Sequence, residues 1–580
     1  MSDVAADRAV GAGAEPDAAG ARPSPISASA ADRAIVRQSP ERAGGADDDA
    51  EPPDFESSAL VAMPISRESL LMPVTVCVRV MERLDGIEDS ADRQRRPAYT
   101  DRVPSRRARL VSPAQSELKD ALAALRDEFE LPDGFPAEVN AEAERAASTV
   151  SVEPAEPALA DLRGIPFLTI DPAGSTDLDQ AMHLERTDDG GGILHYAIAD
   201  VPAFVAFGGA VDAEARRRGQ TIYTPDGRIP LHPAVLSEDA ASLLPDQDRR
   251  AYVWRFELDA GARPVATTLT RGVIRSRAQW SYVDAQAALD RGDAPDTVCH
   301  LVWFGDERAR REIERGGASL NLPEIRVVTS AAGYALEADD GVPLEDANAQ
   351  VSLLTGMAAA EIMIAGKVGI LRTMPPASDE DITTFRAQTV GFGLPWREGV
   401  AYGEYLNDLP RTPTGRAIRE HAAGLFRGAG YAAFDGELPE LTLQAAIAAP
   451  YAHVTAPLRR LVDRWALLVC DALANGRDVP GEIRASLAEI PEAMERTSRV
   501  ASQVDGAAVE RVAAAVLASR QGEEFDAVIL RRRENGARVA LSDPPLETVV
   551  PGVDAEPGST VRIRLVSVDV TRGRSEFIRA

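Results

Sequence analysis

Cysteine, long apolar runs and targeting signals are scarce or missing in this chain of 580 residues. The three cysteines, Cys77, Cys299 and Cys470, are too far apart for a zinc motif, and we expect no disulfides. No run of about 18 apolar residues is present, which is the length a membrane-spanning helix requires. The first residues show no basic stretch followed by an apolar one, so no signal peptide is predicted. We therefore expect a soluble, cytoplasmic protein.

Basic residues are also fewer than acidic residues. Lysine and arginine number 63 against 91 aspartates and glutamates, which gives a formal net charge of −28. Such a balance argues against a protein that coats nucleic acid or anionic membranes through bulk charge, so a polyanion site must be a local basic channel. Since Lys119 and Lys367 are the only lysines, phosphate contacts in such a channel would come from arginine guanidinium groups.

Composition and periodicity divide the chain into four predicted parts of an α+β protein. Residues 1–54 contain no aromatic side chain, so they bury too little apolar surface to offset the entropy of ordering. An alternative is that the true start lies near Val103. Short strands separated by turns at the C-terminus indicate a small β-barrel. The predicted parts are a disordered or linker segment (1–102), a short helical segment (103–163), a domain of mixed sheet and helices (164–515) and a β-barrel (522–580).

Local patterns predict several individual elements. Apolar residues at three- and four-residue spacing from Ser116 to Arg126 predict an amphipathic helix. The Asp- and Gly-rich stretch 188–192 between two strand-like runs predicts a hairpin. A helix is expected over 212–218, ended by Gly219.

One stretch places acidic side chains directly after an apolar strand. The predicted strand Ile165–Ile170 carries Asp171 at its carboxyl end, and Asp177 and Asp179 follow a Pro/Gly/Ser loop. Residues two apart in an extended segment face the same side, so the three carboxylates can converge. Clustered anions favour a cation, and oxygen ligands favour Mg²⁺ or Mn²⁺, which suit phosphodiester hydrolysis. The same spacing is compatible with solvated aspartates in a turn.

A second constellation, residues 451–463, places two arginines at a predicted helix start. Pro457 can open a helix, so Arg459 and Arg460 are expected in its first turn. Cations are unfavourable there against the helix dipole, and a bound phosphate would explain them. The alternative is a pair of surface arginines bonded to nearby acids.

These two constellations and the motifs between them resemble the catalytic domain of the RNase II (RNB) exoribonuclease family. The resemblance covers roughly residues 164–470, and several motifs in collinear order make a chance match improbable. The C-terminal barrel is similar to the OB-type RNA-binding domain that follows in such enzymes. The intervening motifs are 198–201, 218–223, 230–233 and 236–249.

The resemblance implies a Mg²⁺-dependent enzyme, with Mn²⁺ as a substitute, that degrades single-stranded RNA from 3′ to 5′ and releases nucleoside 5′-monophosphates. We further expect a monomer that binds single-stranded RNA and has neither DNA nor a membrane as a partner. Asp179 and Arg459 are implied as catalytic residues. The implied RNA-binding residues are Tyr223, which packs on the 3′-terminal nucleotide, and Arg460, which holds the backbone. We expect His453 either to touch RNA or to be a structural histidine.

Departures from the family pattern motivate an alternative function. Gln180 stands where the family has a fourth aspartate, so the implied metal ligands are Asp171, Asp177, Asp179 and the amide oxygen of Gln180. Leu354 and Thr355 replace a glutamate pair, whose role is lost or moved to Glu361, and Leu320 replaces the phenylalanine expected opposite the tyrosine. The alternative is a catalytically weak RNA-binding protein that keeps the RNB-type channel. A third and more distant hypothesis is a metal-dependent phosphodiesterase that acts on a substrate other than RNA.

Overall fold

The structure, a computed structural model, describes residues 112–154, 159–318, 320, 324–330, 333–339 and 341–580. The predicted disorder of residues 1–102 lies outside this part, as does the beginning of the predicted helical segment. The helix predicted from Ser116 is confirmed as part of α1. The described helices are α1 (Ser112–Glu128), α2 (Ala137–Thr149), α3 (Ala210–Arg218), α4 (Tyr282–Arg291), α5 (Asp296–Arg315), α6 (Pro343–Gly366), α7 (Asp379–Gly391), α8 (Tyr402–Asn407), α9 (Pro413–Ala422), α10 (Leu461–Ala474), α11 (Gly481–Ser486) and α12 (Ile490–Leu517).

The strands fall into one large sheet, one C-terminal sheet and several two-stranded pairs. The predicted hairpin at 188–192 is confirmed as the connection between β3 and β4. The described strands are β1 (Ala160–Asp161), β2 (Phe167–Asp171), β3 (Gln180–Arg186), β4 (Gly192–Ala199), β5 (Ile222–Thr224), β6 (Gly227–Ile229), β7 (Asp248–Leu258), β8 (Pro264–Ser281), β9 (Glu324–Ser330), β10 (Gly333–Asp339), β11 (Val368–Thr373), β12 (Gly430–Asp435), β13 (Leu443–Gln444), β14 (Ala449–Pro450), β15 (Glu524–Arg533), β16 (Gly536–Ser542), β17 (Pro545–Pro551), β18 (Thr560–Asp569) and β19 (Arg574–Arg579).

The large sheet closes on itself because β8 is long enough to serve two neighbours. Its strand order is β1-β8-β2-β3-β4-β7, and β8 also pairs with β7. The first part of β8 is antiparallel to β7, and its last part is parallel to β2. Both faces of β4 are buried: Leu194 packs on one side and Ala197 on the other, in separate apolar clusters. The carboxyl end of β2 and the start of β3 therefore lie next to a rigid, fully packed frame.

Helix α6 is the one helix of the described residues that is long and apolar enough to span a bilayer by length and composition. It packs against α5 and α10, and more than half of its apolar window is buried inside the protein. Val351, Ala359 and Met363 have no exposed surface. Packing therefore places α6 in the core of the large domain, where an apolar helix is expected on all sides.

The C-terminal strands form the predicted small β-structure. Their order is β17-β16-β15-β18-β19, and the two edge strands β17 and β19 approach each other, so the sheet curls almost into a barrel. The strand-like runs 525–530, 537–541, 547–550 and 560–566, which the sequence predicts, correspond to β15, β16, β17 and β18, whereas β19 is not predicted. The interior of this sheet shares one apolar cluster with Leu122 of α1 and Val512 of α12, so these helices anchor it.

Candidate active site

The acidic loop between β2 and β3 is fixed by buried hydrogen bonds. Leu178 is fully buried, and its amide N–H donates to Ser242 Oγ at 2.9 Å. The same hydroxyl donates to the carbonyl of Thr176 at 2.7 Å. Because both bonds hold the backbone around them, they set the positions of Asp177 and Asp179.

Asp179 is a buried carboxylate that joins the acidic loop to the second constellation. Its Oδ1 accepts the amide N–H of Leu458 at 2.7 Å, and its Oδ2 accepts Nε of Arg459 at 3.2 Å. Burial raises the pKa of Asp179 to about 8, and the nearby negative charge of Asp177 adds to the rise, whereas Arg459 and the Leu458 N–H oppose it. The structure thus brings together two predicted catalytic residues that lie 280 positions apart.

Asp177 is held by groups on the β5–β6 hairpin. The hydroxyl of Tyr223 donates to its Oδ2 at 3.1 Å, and Nη1 of Arg228 lies 2.6 Å from its Oδ1. Arg228 also pairs with Glu238 at 2.7 Å. Sequence reasoning missed Arg228 and Glu238, because nothing in the local sequence indicates that either side chain reaches the acidic loop. The register of β5 and β6, which pairs Tyr223 with Arg228, is the signal that reveals them.

Gln180 and Asp171 occupy the ends of the strands on either side of the loop. Gln180 opens β3, and its Nε2 donates to the carbonyl of Thr455 at 2.6 Å. Asp171 ends β2, and both it and Arg459 act electrostatically on the buried hydroxyl of Tyr196. The hydrogen bond of Gln180 ties the start of β3 to the segment that carries Leu458 and Arg459. The placement of Asp171 and Gln180 as ligands of one metal ion stays a prediction.

The prediction that Arg459 and Arg460 lie in the first turn of a helix opened by Pro457 is wrong. Helix α10 begins at Leu461, and Arg460 precedes it in an extended conformation with φ −133° and ψ 128°. The reason is tertiary pairing, because the backbone of Arg460 forms a bridge with Gln220 near β5. The arginines therefore belong to the turn that leads into the helix.

Arg460 is bound to an acid of the following helix. Its Nε and Nη2 donate to the two oxygens of Asp463 at 2.9 and 2.8 Å. Asp463 is fully buried, and its Oδ1 also accepts the amide N–H of Ala456 at 2.7 Å. This fork holds the turn that presents Arg459. The implied contact of Arg460 with the RNA backbone stays a prediction.

His453 is buried and bonded to a tyrosine. Its Nδ1 lies 2.8 Å from the hydroxyl of Tyr431. Burial, together with the charges of Arg460, Arg372 and Arg459, holds the pKa of His453 well below its ordinary value, so the ring is neutral. These features are those of a structural histidine, and a contact with RNA stays a prediction.

The departures noted in the sequence lie mostly in packed surroundings. Leu354 and Thr355 are buried in α6, whereas Glu361 is exposed. Leu320 is only 3% exposed and packs in an apolar cluster with Met374 and the helices α7 to α9. None of these side chains takes part in a contact described above with Asp177 or Asp179.

The residues implied as metal ligands offer only oxygen donors. Carboxylate and amide oxygens fit Mg²⁺ or Mn²⁺, and the raised pKa of the buried Asp179 shows a site where a cation would stabilise the ionised form. Within the described ranges, however, no three Asp, Glu, His or Cys side chains converge in an arrangement that could hold a metal. The donors that engage Asp177 and Asp179 are protein groups. The metal site stays a prediction.

Comparison with known proteins identifies two domains. Residues 159–472 match the RNB domain, and residues 523–580 match the RNase II-type exonuclease C-terminal S1 domain. Ribonuclease R of Aquifex aeolicus is 25% identical over 519 residues, which are 80% of this chain and 72% of that protein. The chain spans only 33–43% of the length of several curated exosome exonucleases that it also matches.

Solved structures share the fold at low sequence identity. RNase R of Mycoplasma genitalium, solved with ribose-methylated single-stranded RNA, superposes with a TM-score of 0.70 and 18% identity over 80% of this chain and 78% of that chain. Yeast Ssd1, described as a pseudonuclease, gives a TM-score of 0.58 and 17% identity over 71% of this chain and 53% of that chain. Since the RNB domain alone matches more than half of the residues and the S1 domain follows it, the chain belongs to the RNase II/RNase R (RNB) family.

Proposed function

We propose that this protein is a 3′-to-5′ exoribonuclease that hydrolyses single-stranded RNA to nucleoside 5′-monophosphates with Mg²⁺ or Mn²⁺. The contact between Asp179 and Arg459 carries the proposal. It places a buried acid against a cation at the acidic loop, and hydrolysis of a phosphodiester needs both kinds of group. Membership in the RNB family supports RNA as the substrate class.

Arg459 and Asp179 take distinct roles in the proposed reaction. The guanidinium of Arg459 stabilises the negative charge that develops on the phosphate during in-line attack by water. Asp179 orients that guanidinium through Oδ2. Its pKa of about 8 also suits it to accept the proton of the attacking water near neutral pH. The Leu458 N–H bond fixes the carboxylate for both tasks.

A divalent cation bound at the loop would neutralise charge on the reacting phosphate and the leaving oxygen. Asp171, Asp177, Asp179 and the amide oxygen of Gln180 are the groups that would hold it. Tyr223 would lie against the 3′-terminal nucleotide, since its hydroxyl reaches the same acidic loop. The RNA end is thereby directed to the carboxylates.

A single assay tests the proposed activity. Purified protein is incubated with 5′-labelled single-stranded RNA in Mg²⁺, Mn²⁺ or EDTA, and the products are resolved on a sequencing gel. We expect a ladder that shortens from the 3′ end, stops at a short oligonucleotide, and vanishes in EDTA. Intact RNA in both metals would contradict the activity.

The second candidate is an RNA-binding protein with weak or no catalysis. Gln180 lacks the charge of the family's aspartate, and Leu354 and Thr355 replace a glutamate pair. The fold is also shared with Ssd1, a protein described as a pseudonuclease. RNA that stays intact in the ladder assay in either metal but binds the protein in fluorescence anisotropy would favour this candidate.

A further inference from the structure

The β5–β6 hairpin presents a tyrosine and an arginine side by side at the acidic loop. Tyr223 and Arg228 are register partners on the two antiparallel strands. Directly opposed residues have their Cβ atoms about 4.5–5.5 Å apart and on the same face. Each side chain reaches a different oxygen of Asp177, at 3.1 Å from the Tyr223 hydroxyl and 2.6 Å from Arg228 Nη1.

Arg228 is held in one orientation by three neighbours. Besides Asp177, its Nη2 contacts Thr176 Oγ1 at 2.9 Å and Glu238 Oε1 at 2.7 Å. Its side chain nevertheless stays 25% exposed. A guanidinium fixed on one side and open on the other is preorganised for a ligand, because little rotamer entropy is lost on contact.

The residue expected opposite the tyrosine is not available for this task. Leu320 is buried in the apolar cluster with Met374, whereas Tyr223 packs at the edge of the cluster formed by α1, α12 and the C-terminal sheet. A second contact with a nucleotide that lies on Tyr223 is therefore sought among the groups that share its hairpin. Arg228 is the cross-strand neighbour.

We propose that Arg228 is a substrate-binding residue that forms, together with Tyr223, the seat of the 3′-terminal nucleotide. Its planar guanidinium offers a second flat surface with N–H donors next to the tyrosine, and such a surface favours a nucleotide without reading its sequence. This inference rests on the proposed function, since it assigns the RNA end to this hairpin. It also makes Arg228 a determinant of the shortest RNA that stays bound.

The test compares Arg228→Met with Arg126→Met. Arg126 is a matched control, since it pairs with Asp226 of the same hairpin at 2.7 Å and is 26% exposed. Fluorescence anisotropy in EDTA measures the affinity for 5′-labelled RNAs of about four and about 20 nucleotides. We expect Arg228→Met to weaken binding of the short RNA about five-fold or more and of the long RNA less than about two-fold, with Arg228→Lys intermediate. Arg126→Met should change neither affinity.

The outcomes separate this inference from the proposed function. A folded Arg228→Met variant with parental affinity for the short RNA would overturn it, even if turnover fell, since Arg228 would then only position Asp177. Should that variant fail to fold, Arg228→Lys with parental short-RNA affinity and end products would overturn it equally. The parent protein could fail to shorten RNA in Mg²⁺ and Mn²⁺ while its affinity for the short RNA still depends on Arg228. That result would support the proposed role of Arg228 in binding and contradict the nuclease function. In an active enzyme, we also expect end products about one or two nucleotides longer for Arg228→Met.

Discussion

At the scale of single residues, Asp179 shows how the fold creates chemistry. In sequence it is one aspartate of an acidic loop. In the structure it is 2% exposed, lies near Asp177, and faces Arg459 and the Leu458 N–H. Burial disfavours its ionised form, and the two donors favour it. The residue therefore titrates near the pH at which an enzyme works.

Replacing Asp179 by Asn should abolish cleavage and leave RNA affinity in EDTA within about two-fold of the parent, since the neutral amide keeps the shape but not the charge. The ladder assay and fluorescence anisotropy measure the two quantities. Asp435→Asn, at an exposed ion pair with Arg484, serves as the control. Parental cleavage by Asp179→Asn would show that this carboxylate has no catalytic role.

The cleavage rate should rise with pH. The pKa of Asp179 is raised to about 8, so its carboxylate gains charge as the pH increases from 6 to 8. A cation favours the ionised form, so higher Mg²⁺ should move the inflection to lower pH. Initial rates on one RNA, measured across this pH range at two Mg²⁺ concentrations, provide the check. If the inflection stays at the same pH at both Mg²⁺ concentrations, the group that titrates does not bind the metal.

Gln180→Asp should lower the Mg²⁺ concentration for half-maximal rate, because it restores a negative charge at the loop. It should also cost about 1–3 kcal/mol of stability, because aspartate cannot donate to the Thr455 carbonyl that now accepts the Gln180 amide. Metal titration of the rate and urea unfolding measure the two effects. An unchanged metal requirement would show that this position does not limit the site.

At the scale of elements, the site depends on the turn between Tyr451 and α10 rather than on the helix itself. Arg460 caps the helix in an extended conformation, and Asp463 in the first turn binds both Arg460 and the Ala456 N–H. An acid in the first turn is the arrangement that the helix dipole favours. The turn is thereby locked in the shape that carries Arg459 to Asp179.

Asp463→Asn should destabilise the protein by about 3 kcal/mol, because it leaves the largely buried Arg460 guanidinium without its counter-charge. Urea unfolding of the full chain measures the change. Asp435→Asn breaks an exposed ion pair and should cost less than about 1 kcal/mol. Equal losses in the two variants would show that the buried fork contributes no more than a surface pair.

At the scale of the whole molecule, the site is assembled from distant segments on a frame that closes on itself. The β8 strand joins β2 to β7, and the C-terminal sheet is anchored by α1 and α12. Three histidines lose solvent on folding: His195 of β4 is partly buried, and His232 and His453 in connecting segments are buried. Burial lowers the pKa of His232 to about 3 and of His195 to about 4, and it holds that of His453 well below the ordinary value.

The histidines should make the folded state sensitive to acid. Below about pH 6.5 the histidines of the unfolded chain bind protons, whereas these rings stay neutral in the folded protein. Each histidine therefore lowers the free energy of unfolding by up to about 1.4 kcal/mol per pH unit, as the pH falls from about 6.5 to the pKa of the folded state. The raised pKa of Asp179 acts in the opposite direction. The check is therefore the slope of the urea midpoint between pH 7 and 5, which should be shallower in His232→Gln than in the parent. Identical slopes would contradict the prediction.

Local sequence patterns determined the position of many helices and strands without any tertiary information. Period and turn residues located α1, the β3–β4 hairpin and four of the C-terminal strands, and the apolar strand before Asp171 placed that acid at a strand end. Such features depend on neighbours in sequence, so spacing alone encodes them. Pattern also supplied the motifs that first suggested the family.

Only the tertiary structure decided how the site is joined. The helix expected at Pro457 starts at Leu461, because Arg460 pairs with Gln220, and no local signal contains that pairing. The bond between Asp179 and Arg459 crosses 280 residues. Both contacts join connecting segments that are far apart in the sequence, and packing of the whole core, rather than the residues that meet, decides which segments come together.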